Sequence, residues 1–228
     1  MNGYYLPPHV YFCYRGRSLV FLDLLRDDYT LVDGDNALAL RNILHAQPDA
    51  SDASNSKALA DFIANGLLTT DSSIGKPILP TKLEVALEPL VDPEITPKIQ
   101  ITMNHLFRFV VSCASAAFQL RFRSIDDTVT AVKRRKEKFG EFNCASCDRA
   151  RELTTVFLRI RAFFPRNYLC LYDSLALIEF LARYQIFPNW VFGITLEPWL
   201  AHCWVQGGMF IFNEDVETAA GYTPVMVV

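Results

Sequence analysis

No stretch of this chain of 228 residues is apolar for long enough to cross a membrane. The most apolar helical run, Phe109 to Leu120, is bracketed by Arg108 and Arg121. It is about a dozen residues long, whereas a span needs about 20. The segment Met1-Asn2-Gly3-Tyr4-Tyr5-Leu6-Pro7-Pro8 has neither a basic nor an apolar region, so no secretory signal is expected. Positive charge is not in excess. The 22 Lys and Arg face 25 Asp and Glu, giving a net charge of −3 and a pI near 5.8, which argues against a nucleic-acid partner. No G-x-x-x-x-G-K-[ST] loop occurs, so no nucleotide cofactor is expected on this chain. Cys144 and Cys147 form a lone CxxC with no second pair, and His9, His45 and His105 show no ligand clustering, so no metal is expected. Internal repeats are absent too. Without a signal segment, the 6 cysteines read as free thiols rather than a disulfide framework. That points to a reducing compartment, the cytoplasm.

What is present is ample core material: 51% of residues are apolar and 21% charged. The length suits one large domain or two small ones. Val10–Arg15, Ser18–Asp23 and Tyr29–Val32 are rich in strand formers and separated by turns at Gly16 and Asp27-Asp28, which predicts a three-stranded meander. Asp35 or Asn36 can cap a helix carrying Leu38, Leu40, Ile43 and Leu44. Ser56 is placed to cap a second helix with Leu59, Phe62 and Ile63, stopped by Gly66. The window 71–97 holds Pro77, Pro80, Pro89, Pro93 and Pro97 and reads as a linker, draped over a domain through Leu79, Leu83, Val85, Leu87 and Leu90.

Beyond it, Ile99–Phe122 is apolar on nearly every face and reads as a buried helix. Ser124 with Asp127 starts another helix, running to Lys138 and carrying the basic run Lys133-Arg134-Arg135-Lys136, read as a solvated face. Helices over Arg151–Phe164 and Leu171–Tyr184 follow. Strands are expected over Trp190–Leu196, Ala201–Gln206 and Met209–Phe212, the last two joined by a Gly207-Gly208 turn.

Chemistry concentrates in this last part. Cys170 opens an apolar helix, where the positive end of the backbone dipole and the nearby Arg166 favour the thiolate. His202, on a strand of the following hairpin, is a base of the kind a cysteine nucleophile needs. Beyond the turn stand Asn213, Glu214 and Asp215, any of which could orient the imidazole, because the register is open by one residue. Cysteine on a helix, histidine on a strand and an acid on the next strand is the chain order of the transglutaminase-like and papain-like superfamily. Trp190, Trp199 and Trp204 could line a substrate groove or pack as core.

The residues Cys170-Leu171-Tyr172-Asp173-Ser174-Leu175-Ala176-Leu177, Val191-Phe192-Gly193-Ile194, His202-Cys203-Trp204-Val205-Gln206 and Phe212-Asn213-Glu214, with the ending Tyr222–Val228, carry a family resemblance. The chain resembles the lasso-peptide B proteins, the leader peptidases of lasso-peptide biosynthesis. The resemblance implies Cys170 as nucleophile, His202 as base and Glu214 as third member. The family usually has Asp at that last place, and Ala or Ser where Cys203 stands; Cys203 is read as a packing variant. The fold so implied is α+β: an N-terminal winged-helix-like recognition element (three-stranded sheet plus helices), then a transglutaminase-like, papain-like cysteine protease domain. Residues 1–70 would bind the leader, 71–97 link, and 98–228 cut. In such an element the leader adds to a sheet edge, here Tyr29, Thr30 and Leu31, with Leu59, Phe62 and Ile63 as helix contacts. The implied partners are a precursor peptide and an ATP-using macrolactam synthetase resembling asparagine synthetases, so any ATP dependence would come through that partner. Acyl transfer to an amine, or leader binding without catalysis, are the alternatives.

Overall fold

The structure, a computed structural model, describes residues 3–34, 36, 37, 40, 41, 53–92, 99–143, 147–165 and 167–228. It divides into two compact units, Met1–Lys82 and Leu83–Val228.

In the first unit β1 (Val10–Arg15), β2 (Ser18–Asp23) and β3 (Asp28–Val32) form an antiparallel meander in the order β1-β2-β3. Phe12 lies opposite Phe21, and the Phe21 ring meets Phe62 on α1 (Ala53–Ala64) at 5.9 Å. Those rings, with Val10, Leu19, Leu40, Leu59 and Leu67, make the core of this unit. Asp35, Leu38, Ile43 and Leu44 of the first expected helix lie outside the described residues. The second begins at Ala53, so Ser56 is inside it and not its cap. Gly66, at φ 71°, does end it, and the chain turns back through the Leu67 N–H on the Phe62 carbonyl.

The proline-rich window is shared between the units. Leu6 and Lys76 form a bridge in the first, whereas β4 (Glu88–Pro89) runs parallel to a strand of the second. Residues 93–98 are not among those described.

In the second unit α2 (Met103–Phe122), α3 (Ile125–Phe139) and α4 (Cys147–Ala162) precede the central helix α5 (Cys170–Ala182). Then come β5 (Asn189–Leu196), β6 (Trp199–Gly207), β7 (Phe210–Ile211), the short helix α6 (Val216–Ala220) and β8 (Thr223–Val227). The sheet order is β4-β7-β6-β5-β8, antiparallel but for β4. β8 was not foreseen as a strand; Pro224 is tolerated because β8 is an edge.

Several expectations change. α2 buries Phe109, Cys113 and Ala116 but leaves Met103, Phe107, Val110, Phe118 and Phe122 exposed, so it is not a fully buried helix. The basic run is only half solvated. Arg135 grips Glu179 at 2.8 and 3.2 Å, and buried Lys136 donates to Asn189 at 2.5 Å, with desolvation lowering its pKa. The β6–β7 turn is Gly208-Met209, not Gly207-Gly208, because Gly207 pairs with Phe210. Gly207 is needed for close approach: a Cβ there would sit 2.4 Å from the Phe142 ring. No helix among the described residues is long and apolar enough to cross a membrane.

The position of α5 depends on a buried ion pair. Arg161 of α4 and Asp173 of α5 are paired with side chains 1% and 4% exposed. Arg161 also donates to the carbonyls of Phe164 and Asn167, and Asp173 accepts the Leu169 N–H at 2.7 Å. The loop leading into α5 is thereby fastened to both helices. Asp173→Asn leaves a buried guanidinium uncompensated, and we expect it to lower unfolding free energy by about 3–5 kcal/mol in urea titrations. A loss under about 1 kcal/mol would mean that the pair behaves as a solvated one.

Candidate active site

Cys170 is the first residue of α5, so its sulfur stands at the positive end of a helix of 13 residues. β6 antiparallel to β5 sets His202 opposite Gly193. The glycine is required there. A Cβ would lie 2.8 Å from the Trp204 ring and 3.0 Å from Tyr222. With that space open, the imidazole lies against Tyr222 at 5.0 Å between centroids and near-parallel to Trp204 at 6.2 Å.

His202 Nε2 and Glu214 Oε2 are 2.9 Å apart, which leaves Nδ1 for the sulfur. The neighbouring candidates are otherwise occupied. The Asn213 side chain accepts the Val205 N–H at 2.8 Å, and Asp215 caps α6 by accepting from Thr218 N and Oγ1. Beyond the turn the Phe212 N–H donates to the Val205 carbonyl at 2.9 Å. Glu214 still reaches the imidazole, because the chain leaves the sheet after Ile211.

Hydrogen bonds to the Cys170 sulfur come from Cys203 and from His202, and together they hold its pKa down, from 9.0 to about 4. His202 is raised from 6.5 to about 9 by its bonds to Cys170 and then Glu214, against the opposing effect of burial. Cys203 is pushed well above the usual thiol value by burial, so it keeps its proton and donates it. The signs define a window. Imidazolium stabilisation is complete below 6.5 and is lost as pH rises through about 9. Thiolate stabilisation is complete above 9.0 and is lost as pH falls through about 4. The two shifts are one interaction seen from both partners, so the ion pair persists between those limits.

Sequence reasoning missed the surrounding support. Ser174 Oγ donates to the Cys170 carbonyl at 2.6 Å, accepts from Trp190 Nε1 at 2.8 Å and lies 3.3 Å from Cys203 Sγ. Cys203 is thus a partner of Cys170 and not packing alone. Adjacency to His202 was its only signal. Trp190 and Trp204 are buried, while Trp199 is 43% exposed at the start of β6. Arg166 lies outside the described residues, as do Cys144, Ala145 and Ser146; Cys147 opens α4. Among the described residues no three His, Cys, Asp or Glu side chains cluster as metal ligands.

In the first unit, Thr30, Leu31 and Phe62 line a cavity of about 430 Å³ with Arg26, Asp61 and Asn65. Tyr29 is half-buried on β3, Ile63 is exposed, and Leu59 is buried in the core.

A thiolate beside an imidazolium, with a carboxylate behind the ring, is equipped for nucleophilic attack on an acyl group. The family model that matches this chain agrees in kind: that of the transglutaminase-like superfamily, over residues 112–227, just over half of the chain. The chain belongs to the transglutaminase-like superfamily, which includes cysteine peptidases and acyltransferases. No curated protein and no solved structure matches it.

Two substitutions separate the causes. Glu214→Gln removes one support of the imidazolium, so the alkaline limb of Cys170 alkylation by iodoacetamide moves to lower pH. Cys203→Ala removes a donor to the thiolate, so the acid limb moves to higher pH. Unchanged limbs in both variants would contradict these contacts.

Proposed function

We propose that this chain is a cysteine peptidase that binds and removes the leader of a ribosomally synthesised lasso-peptide precursor, acting in the cytoplasm. The observation that carries the enzymatic reading is the Cys170–His202–Glu214 arrangement at the start of α5. Leader binding is supported by the first unit, where, among the described residues, β3 is an edge strand and borders the cavity of Thr30, Leu31 and Phe62. An extended leader adding to that edge gains backbone hydrogen bonds, and the cavity takes one of its side chains.

In this mechanism the Cys170 thiolate attacks the scissile carbonyl carbon. The backbone N–H of Cys170, among the orphan donors at the helix start, contributes to holding the developing oxyanion. Protonated His202 then gives its proton to the leaving amine, and the C–N bond breaks. Neutral His202 next takes a proton from water, whose oxygen attacks the thioester and releases the new carboxylate. Glu214 keeps the ring oriented through Nε2 and favours its protonated form. Holding the leader on one unit raises the effective concentration of the scissile bond at the other. An ATP-using macrolactam synthetase, resembling asparagine synthetases, would receive the freed core peptide, and this chain would need no cofactor of its own.

Incubating the full chain with a leader-bearing precursor tests this. The expected products are leader and core, separated by hydrolysis. Cys170→Ala should abolish cleavage while leader affinity, read by fluorescence anisotropy, stays within about twofold. Full cleavage by that variant would contradict a catalytic role and leave a binding scaffold. A product joined to an added amine instead of water would place the chain with acyltransferases.

A further inference from the structure

Cys203 has no step in that mechanism, yet its sulfur lies 3.3 Å from Ser174 Oγ, which donates to the Cys170 carbonyl at 2.6 Å, and its thiol helps to hold the Cys170 pKa down. We propose that Cys203 is the resolving partner of Cys170 in a reversible disulfide, formed after a hydroperoxide oxidises Cys170, and that this bond switches the site off.

Placement makes the two sulfurs unequal. Successive residues of a strand face opposite ways. On β6, His202 packs with Trp204 and Tyr222, whereas Cys203 turns to α5 and Ser174. Ser174 ties both cysteines together, through the Cys170 carbonyl at 2.6 Å and the Cys203 sulfur at 3.3 Å. Cys203 is 3% exposed, whereas Cys170 is half-buried. A dissolved oxidant therefore reaches Cys170 and not its neighbour. An accessible thiolate with a second cysteine beside it is the arrangement that converts oxidation into a reversible mark.

The chemistry balances. The Cys170 thiolate attacks one peroxide oxygen; an S–O bond forms and the O–O bond breaks. The departing oxygen takes the His202 proton, and leaves as water when the oxidant is hydrogen peroxide. The Cys203 sulfur then attacks the Cys170 sulfenic sulfur. An S–S bond forms, the S–O bond breaks, and the hydroxyl leaves with the Cys203 proton as a second water. Two thiols lose two electrons, and the peroxide gains them. The two sulfurs must close to about 2.05 Å to form that bond. Without this step, further oxidation carries the sulfur to sulfinic acid, which thiol reductants do not reverse.

Hydrogen peroxide, with peptide mass mapping after iodoacetamide blocking, tests the proposal on the full chain. The expected product is a Cys170–Cys203 cross-linked peptide pair, lighter than the reduced pair by about 2 Da, with dithiothreitol restoring alkylation of Cys170. In Cys203→Ala the same dose should convert Cys170 to the sulfinic acid, about 32 Da heavier, beyond rescue by dithiothreitol. Cys203→Ser, closer in size, should do likewise and serves if the alanine variant folds poorly. Sulfinic acid at Cys170 in the unsubstituted chain, or a disulfide between other cysteines, would overturn the proposal. The readout is the sulfur itself, so a chain that cross-links yet cuts no leader would sink only the peptidase reading.

Discussion

A thiolate and an imidazolium held side by side are the interaction on which the second unit depends. Neither charge is comfortable half-buried, and each would neutralise if its partner were removed. The fold answers with fixed dipoles. The start of α5 faces the sulfur, the buried Cys203 thiol donates to it, and Glu214 faces the far nitrogen of the ring. Because those groups are set before any substrate arrives, none has to reorganise when charge develops during reaction.

Around that pair the architecture works mainly as a clamp. Arg161 and Asp173 fasten the loop into α5, and Ser174 joins the first turn of that helix to Trp190 on β5 and Cys203 on β6. Gly193 leaves room for Trp204 and Tyr222 to hold the face of the imidazole. The helix α5, the strands β5 and β6 and the loop residue Tyr222 thus converge on one site. That is why residues distant along the chain meet with hydrogen-bond accuracy.

Much of this was legible in the sequence, and the failures have physical reasons. The strands β1, β2, β3 and β5 announced themselves through dense strand formers between turn residues. The candidate triad was legible because Cys170 opens a helix, His202 lies on a strand of the sheet that follows it, and Glu214 stands just past the next strand. What stayed hidden depends on tertiary contact. Gly207 looked like a turn residue, but its missing side chain accommodates Phe142, so the hairpin is displaced. Lys136 looked solvated within a charged run, but Asn189 holds it below the surface. α2 looked buried because apolarity was counted on all faces, whereas only one face is covered. Among Asn213, Glu214 and Asp215, composition could not choose; the other two being claimed by Val205 and by the cap of α6 leaves Glu214 for the ring.

The most direct test of the central claim is the titration of the Cys170 sulfur itself. Thiolate absorbance in the ultraviolet, taken as the difference between the chain and its Cys170→Ala variant, reports that group alone. The account predicts a thiolate already formed at neutral pH, half-ionised near pH 4, set by its contacts with Cys203 and His202. A transition near pH 9, the value of an ordinary thiol, would mean that no ion pair exists and would contradict the account.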